Sequence, residues 1–339
     1  MSDAKRFLDP LSLFPGELSE FMESLNQPAW RGKQIFSWLH RGAKSFDEMT
    51  DLPKNLRERL NIDFSVEAPF EVERLQSRDG TQKILWELAD GERVESALMQ
   101  YETGTSLCVS TQAGCRQGCS FCASCASGLA RNLTAGEILG QVLRCRTQIN
   151  RLVIMGMGEP LDNFENTTRF LRLVSHPEGK KLSLRNISIS TCGLVPEIDR
   201  LSLLGMPVTL SVSLHAPDDE TRRKIMPIAK KYPIDALIAS CKHYFQNTRR
   251  RISYEYVMLK GINDTDIHAR KLNRLLAGQT GHINLIPYNP VYPRPYQPSD
   301  PDRIRIFARQ LSCCDVTVRR TLGSDINAAC GQLAAKRNL

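Results

Sequence analysis

A chain of 339 residues with 41% hydrophobic and 24% charged side chains is long enough to bury a substantial core and has the make-up of an ordinary globular protein. No apolar run approaches the ~20 residues needed to span a bilayer, and the opening Met1-Ser2-Asp3-Ala4-Lys5-Arg6 is polar where a signal peptide is apolar, so a cytoplasmic location with no membrane partner is expected. Eleven cysteines, an odd number in a large chain without an export signal, exclude a disulfide scaffold in favour of reduced thiols that bind metal or react, and a formal charge of +8 favours an anionic partner such as nucleic acid.

The first predicted elements are helical. Ile35, Trp38 and Leu39 recur at helical spacing, and Pro53 marks a break before Leu56 and Leu60. Polar positions of this unit carry Arg31, Lys33, Arg41, Lys44, Lys54, Arg57 and Arg59, a basic surface that could lie against phosphates or simply face water. Residues 1–90 are expected to form a small helical domain, and residues 91–339 a larger one. From about Ile84 onward short β-rich runs alternate with amphipathic stretches. Strands are predicted at Ser106–Thr111, Arg151–Met155, Asn186–Ser190, Val208–Leu214, Ile252–Met258, Ile283–Ile286 and Val316–Arg319. Helices are predicted at Ala135–Gln148, Asn166–Val174, Glu220–Met226, Ile234–Phe245 and Asp266–Leu276, and Pro287 to Pro301 reads as a rigid loop. This order predicts an α/β fold with a parallel sheet and right-handed crossovers, curling into a complete or partial barrel. Its chemistry should gather on loops that follow the carboxyl ends of the strands.

One such loop, after the strand ending near Thr111, holds Cys115, Cys119 and Cys122 in a CxxxCxxC run. Three thiolates can hold a 4Fe-4S cube by three corners and leave the fourth iron open to chelate a small molecule. A structural zinc site is the alternative, although it normally takes four ligands in CxxC pairs. Cys125 extends the run and could add a fourth thiolate; it is expected not to ligate in the working enzyme, since that would close the reactive corner. Thr134 and Glu137 have the spacing of a capping box, so a helix should begin there. The turn Gly156-Met157-Gly158-Glu159-Pro160 allows close backbone approach, and Glu159 could accept a hydrogen bond from an amine; a purely structural turn is the other reading. His215 ends a strand on the functional side, Asn289 could do no more than form an Asx turn, and Cys145, Cys192, Cys241, Cys313 and Cys314 read as small buried hydrophobes. Cys108 and Cys330 stand apart; brought together by the fold, they could accept a group or pair transiently.

Taken together, these residues resemble the RlmN/Cfr family of radical S-adenosylmethionine RNA methyltransferases, from about Leu13 through Leu333. The likeness rests on Trp30-Arg-Gly-Lys-Gln-Ile-Phe-Ser-Trp38, Ser45-Phe-Asp-Glu-Met49, Leu107-Cys-Val-Ser-Thr-Gln112, Arg131-Asn-Leu-Thr134, Gly156-Met-Gly-Glu-Pro160, Ser213-Leu-His215, Leu285-Ile-Pro-Tyr-Asn-Pro290 and Ala328-Ala-Cys-Gly-Gln-Leu333. It implies a partial barrel with one 4Fe-4S cluster at its open end, held by Cys115, Cys119 and Cys122, and an amino-terminal domain that handles RNA. By the same resemblance Gly158, Glu159, Ser190, Ser213, Leu214, His215 and Asn289 contact S-adenosylmethionine, Cys330 carries the methyl group, Cys108 resolves the adduct and Glu95 is the base.

The implied mechanism answers a chemical mismatch, because the cofactor's methyl and the adenine amidine carbons are both electrophilic. One cofactor methylates Cys330, a second is cleaved to a 5′-deoxyadenosyl radical that activates the methylthioether, and Cys108 releases the product by pairing with Cys330. The resemblance further implies 23S rRNA as substrate, with tRNA as a further one, a flavodoxin or ferredoxin as electron donor, and a monomer. Adenosine C2 is the expected target and C8 the alternative. The chain departs from its relatives at Ala123-Ser124-Cys125, at Leu129 and at Leu322-Gly-Ser-Asp-Ile326. A zinc or RNA-binding module without catalysis, and a radical activase of protein, are the readings from other classes.

Overall fold

The computed structural model describes residues 9–64, 66 and 69–334. Helix α1 (Pro15–Ser24) starts on a proline that cannot donate and on Glu17, whose carboxylate accepts the Phe14 N–H at 2.7 Å. It packs on α2 (Trp30–His40) through Gly32, where a Cβ would collide with the Ser19 backbone nitrogen. Leu18, Met22, Ile35, Phe36 and Leu39 are buried between them, and α3 (Lys54–Asp63) adds Leu56 and Leu60. The predicted helical unit is therefore present, and it closes at Asp63.

Strands begin at Phe70, ahead of the β-rich runs expected from about Ile84, in a three-stranded meander: β1 (Phe70–Gln76), β2 (Gln82–Glu87) and β3 (Arg93–Tyr101). The reason is local. Strand β1 is an edge strand rich in charged side chains, while β3 buries Glu95 and Ser96 along with its apolar residues, so neither shows clean alternation. Next come β4 (Gly104–Cys108) and a ribbon of β5 (Gln112–Gly114) and β6 (Leu129–Asn132). The remaining units are α4 (Ala135–Leu143), β7 (Arg151–Ile154), α5 (Phe164–Val174), β8 (Ile187–Thr191), α6 (Val195–Ser202), β9 (Thr209–Ser213), α7 (Asp219–Ile225), α8 (Ile234–Thr248), β10 (Ile252–Met258), α9 (Asp266–Leu275), β11 (Gly281–Pro287), α10 (Pro301–Gln310) and β12 (Asp315–Val318).

All but the ribbon join one ten-stranded sheet in the order β1-β2-β3-β4-β7-β8-β9-β10-β11-β12. Strands β1 to β4 pair antiparallel, and from β4 to β12 every pairing is parallel. Among the described residues no pairing joins the two edges, so the α/β barrel is partial, as expected. Its outer layer is apolar: Ile187, Ile189, Leu210, Val212, Ile283 and Leu285 are fully buried under the helices. The residues between them, Ser188, Ser190, Ser211, Ser213 and Asn284, turn to the concave side, because strand side chains alternate faces. The capping box at α4 forms as predicted, with the Glu137 N–H donating to Thr134 Oγ1 at 3.0 Å and the Thr134 N–H donating to Glu137 Oε2 at 2.9 Å. Among the described residues no helix is long and apolar enough to cross a membrane.

Candidate active site

The ribbon β5–β6 ties the neck of the cysteine loop, with the Cys115 N–H donating to Gly128 O at 3.0 Å. Within the loop a turn closes from Cys122 N–H to Cys119 O at 3.1 Å. Beside it the glycine turn is pressed onto the start of β5. The Met157 N–H donates to Ser110 Oγ at 2.8 Å and the Glu159 N–H to Gln112 Oε1 at 2.8 Å. Gly158 adopts φ +102°, and a Cβ there would meet the Gln112 nitrogen at 2.8 Å, so only glycine fits.

These loops enclose a cavity of about 980 Å³, counting its open mouth. Cys115, Cys119, Cys122, Gly158, Glu159, Ser190, Ser213, His215, Asn289 and Cys330 all line it, so ten of the thirteen expected residues converge. A smaller adjoining cavity is lined by Cys108 and Cys330 together, both free thiols. Two expected residues stay out of both walls. Leu214 is buried in the core and offers only backbone, and Glu95 on β3 is engaged elsewhere: Lys83 Nζ lies 3.3 Å from one carboxylate oxygen and the Ala334 N–H donates to the other at 2.8 Å. Residues the sequence reading missed are Glu255 and Arg319, and Cys192, read there as a small buried hydrophobe, is on the cavity wall with them, as is Cys125. Glu255 was legible as a lone carboxylate inside the apolar run Ile252–Met258; Arg319 and Cys192 carried no such signal.

Glu159 is buried, and its two oxygens accept the N–H groups of Leu161 and Cys192, at 3.1 and 2.7 Å. Desolvation nevertheless raises its pKa, so an approaching cation would be welcome. His215 sits at φ +55°, a left-handed conformation costly for a side chain of this size. It is held there by Asn263 Nδ2, which donates to its carbonyl at 2.8 Å, and by the Val257 N–H, which donates to Nδ1 at 3.0 Å. Since Nδ1 accepts, the ring proton is on Nε2, ready to donate into the cavity. Burial, reinforced by Arg222, pulls the His215 pKa down to about 3.

The folded His215 pKa lies below the unfolded ~6.5, so the neutral ring stabilises the fold above about pH 6.5, and this stability is lost as pH falls toward 3. His40, pulled down to about 4 by burial, acts in the same direction. Unfolding midpoints measured from pH 7 to pH 3.5 should show about one proton less uptake in His215→Asn than in the native chain. An unchanged slope would refute the neutral assignment.

The thiols behave as a group. Interaction with Cys125, then burial, raises the pKa of Cys115, Cys119 and Cys122, and the same three contacts lower that of Cys125. Metal binding would draw off the remaining protons. Among the described residues no three His, Cys, Asp or Glu side chains close on a point where a single ion could sit. Zinc needs its sulfurs ~2.3 Å from one centre, whereas a cube is gripped at separate corners, so sulfur donors spread along one wall fit a 4Fe-4S cluster better.

The carboxyl-terminal segment completes the wall. Gly331 O accepts the Ala123 N–H at 2.8 Å, Leu333 O accepts Ser124 Oγ–H at 2.6 Å, and Asn289 Nδ2 donates to Cys330 O at 3.2 Å. The β1–β2 turn anchors the preceding loop, with the Gly323 N–H donating to Asp79 Oδ2 at 2.8 Å and Ser77 Oγ to Asp325 Oδ1 at 2.5 Å. Farther away, the expected basic face is partly self-neutralised: Lys33, Lys54 and Arg59 pair with Glu178, Glu58 and Asp63. Arg31 and Arg41 instead lie over the Trp30 and Trp38 rings at 4.8 and 4.7 Å.

Two family models match the chain, the radical SAM superfamily over residues 109–271 and the ribosomal RNA large subunit methyltransferase N-terminal domain over residues 11–66. Similar relatives include a probable dual-specificity RNA methyltransferase RlmN of Alkaliphilus oremlandii, 45% identical over 97% of this chain and 98% of that one, and its counterpart in Clostridioides difficile, 44% identical over 94% and 95%. The crystal structure of a radical SAM methyltransferase from Sphaerobacter thermophilus superposes with a TM-score of 0.92 at 43% identity, covering 95% of this chain and 98% of that one.

Proposed function

The chain belongs to the RlmN family of radical S-adenosylmethionine RNA methyltransferases, and from that premise we propose that it methylates C2 of an adenosine in 23S rRNA through a methylated Cys330. The observation that carries this reading is the position of Cys330 on the walls of both cavities, facing the cysteine triplet in one and Cys108 in the other. The dual specificity in the relatives' names supports a second RNA class, for which tRNA is our candidate.

When bound, a 4Fe-4S cluster and S-adenosylmethionine supply the one-electron chemistry that side chains lack. Cys115, Cys119 and Cys122 would hold the cluster. Glu159 has lone pairs left to accept an ammonium, the His215 Nε2–H donates, and Ser190, Ser213 and Asn289 add polar contacts. Arg319, held firmly protonated by Cys330 and Glu255, places a cation beside the thiol that accepts the methyl. Cys108 is pushed up to about 12 by burial, so it stays a thiol until Cys330 becomes its partner. At that step the Cys108 sulfur bonds to the Cys330 sulfur as the bond from Cys330 to the methylene on the base breaks; the Cys108 proton passes to the methylene carbon to complete the methyl, Glu95 is our choice to take the ring proton, and the one electron left over would return to the cluster. The adenine must leave its stack to reach the cavity, and the Trp30 and Trp38 face of α2 is the surface we assign to the surrounding RNA.

Nucleoside mass spectrometry of RNA from cells with and without the gene, fed adenosine deuterated at C2 or C8, tests the target. Label should be lost from C2 at one rRNA adenosine. Loss from C8 with retention at C2 would overturn the choice of carbon.

A further inference from the structure

The three thiols are joined by a fourth that the family pattern does not require. Cys119, Cys122 and Cys125 recur every third residue, and the backbone makes that spacing meaningful. The Cys119–Cys122 turn runs directly into a 3-10 turn over Ala123–Cys125, capped by Cys122. Cys119 and Cys122 close the first turn and Cys125 ends the second, so the three follow one another round a single compact bend. The loop then doubles back: the Gly128 N–H donates to Cys125 O at 3.3 Å, and Gly128 O accepts the Cys115 N–H at 3.0 Å, setting Cys125 beside Cys115 at the neck. All four cysteines line the same cavity, and Cys125 is only partly buried. The turn is held from outside by the Gly331 and Leu333 carbonyls, so its orientation does not depend on the thiol.

Resting on the reading that this loop holds a 4Fe-4S cluster, we propose that Cys125 is a displaceable fourth ligand, bound to the otherwise protein-free iron until S-adenosylmethionine arrives. On exchange one Fe–S bond to Cys125 breaks and the iron gains bonds to the cofactor's amine nitrogen and carboxylate oxygen. The released thiolate takes the proton that the cofactor's ammonium gives up on binding the iron, and no electron moves. Cys125 is then absent from the iron in the working state yet guards it in the resting state. Capping at rest and vacancy at work are compatible because a monodentate thiolate competes with a chelate.

The full-length chain and its Cys125→Ala and Cys125→Ser variants, reconstituted anaerobically with ⁵⁷Fe and sulfide and kept free of cofactor, provide the test. Mössbauer spectra should show the fourth iron with sulfur ligation in the native chain and with oxygen or nitrogen ligation in both variants. Limited oxidation should then produce roughly three times or more of the three-iron EPR signal in the variants, since an unguarded iron leaves first. Cofactor affinity should rise about three- to tenfold in the variants, because no competing state has to be vacated. Brown native and variant proteins with the same Mössbauer, EPR and binding results would overturn the inference alone. Variants that take up no cluster would make Cys125 a permanent ligand and also overturn it. Colourless native protein would overturn the cluster reading itself.

Discussion

Replacing Cys330 with alanine is expected to abolish RNA methylation while leaving the fold and the cluster intact. The substitution removes one sulfur from a partly buried site where the backbone, through Asn289 and the Gly331 and Leu333 carbonyls, carries the tethering contacts. Stability should therefore change by less than about 1 kcal/mol. Under the proposed mechanism the loss is not graded, because among the described residues Cys330 is the one thiol outside the cysteine triplet that lines both cavities. The rate should fall by at least about 10³, as when a covalent nucleophile is deleted. Methyl-labelled cofactor should add one methyl to the native protein, at Cys330 by peptide mass mapping, and none to the variant. The variant should also form 5′-deoxyadenosine poorly. Normal methylation by Cys330→Ala would end the assignment.

Replacing Arg222 with methionine is expected to cost about 3–5 kcal/mol, among the largest losses available to a single side chain here. The guanidinium is fully buried and spans the carboxyl ends of two adjacent strands, donating to Cys192 O at 2.6 Å, Leu214 O at 3.2 Å and Ser213 O at 3.3 Å. Methionine fills the volume but takes the guanidinium donor away from three carbonyls in a buried place, of which Leu214 O keeps the Ala216 N–H. Arg222 also lies near the Cys192 and Cys119 thiols, under the floor of the cavity. Thermal unfolding should shift down by several degrees, and iron retention on gel filtration should fall with it. Arg222→Lys, which restores the charge but not the planar fork, should recover only part of both. A methionine variant as stable as the native chain would show that the buried cation is dispensable.

Much of the fold was legible because the strands and helices of the barrel carry strong local patterns. The seven predicted strands all form, with boundaries shifted by a few residues at most. The hairpin of β1 and β2 was not legible, since its meaning is tertiary: it extends the sheet at one edge and its turn anchors the loop ahead of Cys330. Helix α10 was hidden by the prolines before it, although Pro301 in fact opens it at a position where no N–H is needed. Within the cavity, the motif residues at Cys115 to Cys122, at Gly158 and Glu159 and at His215 could be read from the chain. Glu255 and Arg319 meet there only because alternate residues of separate strands turn to the concave side.

Spacing along the chain determined the cysteine triplet, the capped helix behind it and the alternation of strand and helix, because each is a relation among neighbours within a few residues. Tertiary structure alone decided that Cys108 and Cys330, 222 positions apart by their numbering, share a cavity wall, that Glu95 is tied to Lys83 and Ala334, and that Cys125 faces three other thiols. The physical reason is that such contacts depend on how a twisted sheet curls and where its last segment is fastened, and that information is spread over the whole chain.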